Sequence, residues 1–552
     1  MPDRLSDRRQ SALYLVVFGL GAAFLFAVAV AAGVFGRLGP DDPGRTLEPS
    51  SAAGRPPGQS PAQPPAVSPS RAPASSPAAS SPTPHVEPVG NLPLVPVVGF
   101  WSGATDISSA ELSLALQGRS AQFERIVVPE ADRQDIEALL GISLADRVEG
   151  GDAAAIRRQV REGALGLMRV TDVTPAVRAL SLDGQSLFGN DRLASTDEWP
   201  LHLPADEAAA EWQQADRWTL VAGGDIQLDR WMAHHVTALD KGVDWPWEGG
   251  RVGITGRVCC SDLGHRVPEW ERTGEPGAVR ALFTGADLAM ANLEAAAVDD
   301  PGFHRLPANF PLSLSFSGDP RLLDGLRNAG FDFLSLANNH IHNAGAQGII
   351  DTRQNLAERD IAFAGAGRDL AQSRRPGELE VGGQSVVMLP CTVVGRVARA
   401  DRAGSAPCTG ERLLRQIQEA QPSDVVIVFP HWGREYRATP NAGQRALARA
   451  WAEAGADLVL GAHSHWAGSV EEIGRSLVFY SLGNLAFDQP WSEPTMQGVI
   501  VELTFNADRL VQAHLHPTLI VDHVQPNLLE YEAGGDRVLR RMRDASEGLL
   551  PY

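Results

Sequence analysis

His463 and His465 flank one serine directly after the apolar run 456–461. In an extended segment residues i and i+2 project to one side, so both imidazoles can reach one metal ion or an adjacent pair, a donor type suited to first-row transition ions. His431 closes a second apolar run, 424–430, and His340 follows a third, 331–337. A histidine isolated in a loop is ordinarily solvated or caps a neighbour; these recur at the ends of apolar runs. Asp225 and Glu294 supply what imidazoles cannot, because two divalent cations a few ångströms apart repel unless an anionic oxygen lies between them. Gly223 and Gly224 permit close backbone approach just before Asp225. The plainer roles are a turn aspartate capping a helix for Asp225 and a helix-start carboxylate for Glu294.

Elements that would hold these groups together can be read outward from them. Five short apolar runs end in polar groups: Trp218 to Ala222 before Asp225, Asp287 to Ala291 before Asn292 and Glu294, Phe331 to Ala337 before Asn338, Asn339 and His340, Asp424 to Pro430 before His431, and Ala456 to Gly461 before His463. Helical patterns lie between them, as in 443–454 with Leu447, Ala450 and Trp451 on one side. In an open α/β architecture, sites form at the carboxyl ends of strands, so residues 216–524 read as one such domain. Upstream, residues 92–212 alternate strand-like runs (95–100, 125–128) with helix-like ones (109–116, 153–162), which predicts a smaller α/β domain. Residues 525–552, basic over 537–543, read as a tail with a surface helix.

Arg4, Arg8 and Arg9 precede an uncharged apolar run over 11–36, long enough to span a bilayer and oriented by the arginines with its N-terminus in the cytoplasm. Residues 1–38 therefore predict a single-pass anchor in the cell membrane with the bulk of the chain extracytoplasmic; a signal sequence cleaved near Ala31 and Ala32 is the alternative. Residues 39–91, rich in Pro, Ser and Ala, predict a disordered tether. A net charge of −19 over 552 residues excludes general binding to a nucleic-acid backbone, which needs a basic surface. Lys241 is the only lysine, which fits a base-composition bias rather than a function. The cysteines lack the paired short spacings of zinc sites. Cys391 and Cys408 fit a disulfide, whereas adjacent Cys259 and Cys260 are open to three readings: bridging to one another, bridging to the other pair or staying reduced.

The ordered motifs Gly-Gly-Asp225-Ile-Gln-Leu, Asn292-Leu-Glu294, Ala-Asn338-Asn339-His340, His431-Trp-Gly-Arg-Glu435-Tyr436, Gly461-Ala-His463-Ser-His465 and Tyr480-Ser-Leu-Gly483-Asn484 resemble the CapA family of capsule and poly-gamma-glutamate synthesis proteins, a branch of the calcineurin-like metallophosphoesterases. The resemblance covers a little over half of the chain. It implies an α/β fold class with a four-layer α-β-β-α metallophosphoesterase-like domain, preceded by the smaller α/β domain and the transmembrane helix. It further implies one or two divalent ions, with manganese, iron or zinc all suitable. Asp225 would be a first-metal ligand, Glu294 the bridge, Asn339 a second-metal ligand, and His431, His463 and His465 the remaining ligands. His340 would be the general acid or transition-state stabiliser. Arg434 would stabilise developing negative charge, and Glu435, Tyr436 and Asn484 would shape the substrate groove or fix their own loops. Two positions depart from the pattern: Gln227 stands where a typical phosphoesterase has a histidine two residues after the aspartate, and Asn343 where many members have aspartate. The implied reaction is attack of a metal-activated hydroxide on a phosphorus or on an acyl or amide carbon. The implied partners are a cell-surface polymer or its precursor and other synthesis or export proteins. A non-catalytic scaffold in such an assembly is the competing reading. Within residues 92–212, Val177 to Gly184 followed by Trp199-Pro-Leu resembles the hinge-proximal part of periplasmic substrate-binding proteins; an unrelated accessory domain is the other reading.

Overall fold

A computed structural model describes residues 91–204, 212, 217–260, 264–304, 314–420 and 424–550. The expected anchor and nearly all of the tether lie outside the described residues, and among the described residues no helix is long and apolar enough to cross a membrane.

The first sheet contains β1 (Asn91–Gly99), β2 (Ile126–Pro129), β3 (Val148–Gly151), β4 (Leu165–Arg169), β5 (Val177–Ala179) and β6 (His202–Pro204). Its order is β3-β2-β4-β1-β5, with β6 also on β1. Helices α1 (Ser109–Leu116) and α2 (Ala153–Arg161) begin where the sequence offers caps: Ser108 accepts from the Glu111 amide and Asp152 from the Ala155 amide.

The larger part of the chain forms β7 (Arg217–Ile226), β8 (Arg251–Cys259), β9 (Arg266–Arg272), β10 (Leu288–Leu293), β11 (Phe333–Ser335), β12 (Ala362–Ala364), β13 (Gly377–Val381), β14 (Gln384–Thr392), β15 (Val425–His431), β16 (Leu458–Leu460), β17 (Val470–Ile473), β18 (Ser476–Phe479), β19 (Asn484–Ala486), β20 (Gln497–Asn506), β21 (Arg509–Val521) and β22 (Gln525–Leu529). One sheet runs β9-β8-β22-β21-β20-β7-β10-β11-β12, with β19 beside β7; the other runs β13-β14-β15-β16-β18-β17. The neighbours β7-β10-β11-β12 and β14-β15-β16-β18 are parallel.

Strands covered on both faces must be apolar throughout, which is why these segments read as continuous runs. Leu220, Ala222 and Met290 share one buried cluster with Val425, Ile427 and Phe429, so the two sheets pack face to face. The alternate residues Val221, Ala289 and Ala291 face Phe283 of α3 (Ala278–Thr284), Leu326 of α4 (Leu322–Asn328) and Leu356 of α5 (Gly345–Ala357). On the other side, Val426 and Val428 meet Ile417 of α6 (Glu411–Glu419) and Trp451 of α7 (Ala442–Ala454). The layers therefore run helix, sheet, sheet, helix.

The C-terminal residues differ from the expected tail. β22 lies inside the first of these two sheets, between β8 and β21. In α8 (Asp536–Ala545), Val538, Leu539 and Met542 enter the inter-sheet core, an apolar stripe at helical spacing that the intervening arginines mask in the sequence. Cys391 and Cys408 form a buried disulfide, and Cys259 is bonded to Cys260.

Candidate metal centre

β10, β7 and β19 lie side by side, and their register sets Asn292 and Asn484 each opposite Asp225. This packing needs glycine at 224, where a Cβ would fall 1.8 Å from the Gly483 carbonyl oxygen. The loop after β11 contributes Asn339 and His340, the end of β15 contributes His431, and the loop after β16 contributes His463 and His465. That last loop is not the extended segment expected. His463 (φ +90°) and His465 (φ +58°) are both left-handed, because the chain turns so that the His463 amide donates to Asp225 Oδ2 (3.1 Å) and the Ser464 carbonyl accepts from the Tyr436 amide (2.8 Å). Both imidazoles still face the same cluster.

Glu294 stands at its centre, 0% exposed, and neither carboxylate oxygen has a hydrogen-bond partner among the described residues. His431 Nε2 is 3.3 Å and His340 Nε2 3.8 Å from Glu294 Oε1. His431 Nε2 is also 2.6 Å from Asn339 Oδ1 and 3.2 Å from His463 Nδ1. Asp225 Oδ1 accepts from Asn292 Nδ2 (2.8 Å), and Oδ2 lies 3.5 Å from His465 Nδ1, which in turn is 2.9 Å from Asn484 Oδ1. Two sets of donors, Glu294–His431–His463 and Asp225–Glu294–His465, each fall within 4.8 Å and share Glu294.

Burial pulls the His431 imidazole down to about 4 and His463, packed beside it, to about 2; both are therefore neutral, with lone pairs that can face a cation. Burial and the nearby Asp225 charge push Glu294 well above the ordinary carboxylate range. Burial alone would raise Asp225 too, but its contact with His465 holds it below the usual value. The same contact lifts His465 to about 9 against its own burial. A buried carboxyl with two orphan oxygens among three imidazoles is costly as it stands and is the donor set that a divalent cation satisfies.

His340 stacks on Phe316 (ring centroids 4.1 Å), and burial brings it down to about 4. Its Nδ1 is 2.8 Å from Asn343 Oδ1, which also accepts from the Phe316 amide at 2.8 Å. The oxygen being the acceptor, His340 carries its hydrogen on Nδ1 and presents a lone pair from Nε2.

Arg434 and Glu435 are exposed, and Tyr436 is half-buried with its ring 6.1 Å from that of His465. Burial and the adjacent Glu435 raise the Tyr436 phenol to about 12. Asn484 is buried and donates to Gln489 Oε1 and the Thr495 carbonyl, so it holds His465 rather than lining a groove. The remaining expected residues, Asp225, Glu294, Asn339, His340, His431, His463 and His465, converge.

Further residues support the cluster, of which Arg230 and Asp488 carry no isolated signal in the sequence. Asn292 orients Asp225 and lies 3.3 Å from His431 Nδ1. Arg230 and Asp488, far apart in the chain and each with a side chain 1% exposed, form an ion pair beneath Phe316. Gln227, in the amide orientation that suits both neighbours, donates to Asp488 Oδ1 and accepts from Arg230 Nε, each at 2.9 Å. Burial raises Asp488 to about 7 even beside that guanidinium.

A second group, Glu502, His514 and His516, also falls within 4.8 Å. Its bonds are structural: Glu502 accepts from the Asn190 amide (2.6 Å) and faces His516 Nε2 (2.8 Å), while the Arg178 guanidinium contacts His514 Nε2. A guanidinium at that nitrogen directs the imidazole hydrogen to Nδ1, the nitrogen 3.7 Å from Glu502, and so opposes cation binding there.

Residues 219–489 match the family described as bacterial capsule synthesis protein PGA_cap. The capsule biosynthesis protein CapA of Bacillus anthracis is 33% identical over 256 residues, 43% of this chain and 60% of that protein. The PGA biosynthesis protein CapA of Bacillus subtilis is 37% identical over 172 residues, 30% of this chain and 45% of that protein, so the chain spans about half the length of these relatives. A solved 5'-nucleotidase precursor from Thermus thermophilus aligns with 14% identity over 60% of this chain and 59% of its own, at a TM-score of 0.32. Every residue of the convergent cluster falls inside residues 219–489, the just under half of the chain that matches the bacterial capsule synthesis protein PGA_cap family.

Proposed function

We propose that the cluster is the centre of a metal-dependent hydrolase of metallophosphoesterase type, acting on phosphoester or amide bonds of a cell-surface polymer or its precursor. The observation that carries this reading is Glu294: a fully buried carboxyl with two unpartnered oxygens, flanked by neutral imidazoles. Asp225, Glu294, Asn339, His431, His463 and His465 would hold the metal. When bound, it supplies a Lewis acid that polarises the scissile group and acidifies water. His340, neutral with an open Nε2, takes up a proton and passes it to the leaving group. Asn343 fixes the tautomer that makes this possible. Arg434 and Glu435, on the exposed side, meet the substrate, and Tyr436 packs between them and His465. The N-terminal apolar run supports single-pass anchoring in the cell membrane with this centre outside the cytoplasm, in company with other polymer synthesis or export proteins.

The test is metal content by mass spectrometry on the full chain, with hydrolysis of a generic phosphodiester in added manganese. Bound metal, with turnover lost at least 100-fold in His463→Ala, is the expected result; absence of both metal and turnover defeats the reading.

A further inference from the structure

The donors divide unevenly. Around His431 Nε2 lie Asn339 Oδ1 at 2.6 Å, His463 Nδ1 at 3.2 Å and Glu294 Oε1 at 3.3 Å. The edge of a tetrahedron with metal bonds of about 2.0–2.1 Å is about 3.3–3.4 Å, so His463 and Glu294 already stand at that spacing from His431, and Asn339 reaches it by drawing back by less than about 1 Å. Beyond Glu294 stand Asp225 and His465, 3.5 Å apart, and Asp225 Oδ1 is already engaged by Asn292.

Position 227 is the next place along the chain in register with Asp225. The chain past β7 continues its ladder, the Gln227 amide donating to the Ala486 carbonyl (3.0 Å), so residues 225 and 227 project to the same side. Yet both ends of the Gln227 side chain are committed, to Arg230 and to Asp488. Arg230 is 1% exposed, sits at φ +49° and lies 4.9 Å from the Phe316 ring centroid. A left-handed backbone at a non-glycine residue is strained, and a buried guanidinium persists only when paired. The fold maintains this unit at position 227, so the Gln227 side chain is not available to the centre.

We infer that the centre is unequal: one divalent cation is held tightly by Glu294, Asn339, His431 and His463, and a second, on Asp225, Glu294 and His465, is held at least tenfold more weakly because Gln227, Arg230 and Asp488 are bound to one another. This rests on the metal-centre reading above. Manganese titration of the metal-free full chain, following free Mn²⁺ by electron paramagnetic resonance, tests it. Two steps separated at least tenfold are expected. His463→Ala removes the tight step and leaves the weak one, His465→Ala removes the weak step alone, and Gln227→His narrows the gap. Two ions of equal affinity overturn the inference while keeping the metal centre, as does loss of the tight step in His465→Ala but not in His463→Ala. No binding at all overturns both. The wild-type and single-histidine titrations decide the matter even if Gln227→His fails to fold.

Discussion

The Asn343 side chain receives two hydrogen bonds on one oxygen, from His340 Nδ1 and from the Phe316 amide, and this pairing sets what His340 can do. Burial favours the uncharged ring, bringing it to about 4, and a neutral amide acceptor does little to oppose that. At neutral pH the ring is therefore uncharged, so in the reaction proposed above it would accept a proton before donating one. A carboxylate in the same place would favour the imidazolium. Asn343→Asp should raise the His340 titration by roughly one to two units, read by NMR of the ring protons in metal-free protein. An unchanged titration would show that Asn343 does not govern the ring.

At the scale of elements, the strand ends were legible because parallel strands buried on both faces leave continuous apolar runs, and the polar residue that stops each run is the one delivered to the site. Asp225, Glu294, His340, His431 and the His463–His465 pair were all found this way. What stayed hidden depends on partners remote in the chain. Arg230 and Asp488 pair across 258 positions, and neither breaks a local pattern. The left-handed turn at 463–465 arises from tertiary hydrogen bonds, which no periodicity records. β22 was missed because a short strand with proline and asparagine does not alternate, and it is held by β8 and β21 on either side. The strand ends also make a prediction. At Gly224 an added methyl meets the backbone of Gly483, 1.8 Å from its oxygen, whereas at Gly223 it meets the end of the Leu485 side chain at 2.4 Å. Gly224→Ala should separate β19 from β7 and cost about 3 kcal/mol or more, with bound metal lost; Gly223→Ala should cost about 1 kcal/mol. Denaturant unfolding with metal analysis compares them, and equal losses would refute the contrast.

For the molecule as a whole, the question is what joins the first sheet to the layers that carry the histidine and carboxylate cluster. Polar bonds cross the seam: the Ala179 amide donates to Gln512 Oε1 (3.0 Å), the Gly189 amide to Thr504 Oγ1 (2.8 Å) and the Asn190 amide to Glu502 Oε1 (2.6 Å), while Val511 of β21 packs into the first sheet's core. His514 on β21 lies in this seam between Arg178 on β5, His516 on its own strand and Glu502 on β20, with the Arg251 charge of β8 also acting on it. Burial, then the neighbouring His516 and the Arg178 and Arg251 guanidinium groups, hold His514 well below its ordinary value, so it is neutral when folded. Unfolded, it titrates near 6.5. The unfolded chain thus binds the extra proton as pH falls below about 6.5, so the stability His514 permits at neutral pH is lost in that direction. Glu502 acts in the same sense: its bonds to His516 and Asn190 outweigh burial and hold it low, so its contribution fades as acid protonates it. Water reaches the 28% exposed side chain of His514 and trims its share, leaving roughly 1 kcal/mol lost between pH 7 and pH 5. His514→Gln, which cannot take up a proton, should flatten the fall in unfolding free energy over that interval by about this amount while leaving bound metal unchanged. An identical pH dependence in the variant would mean that acid loosens the molecule elsewhere than at this seam.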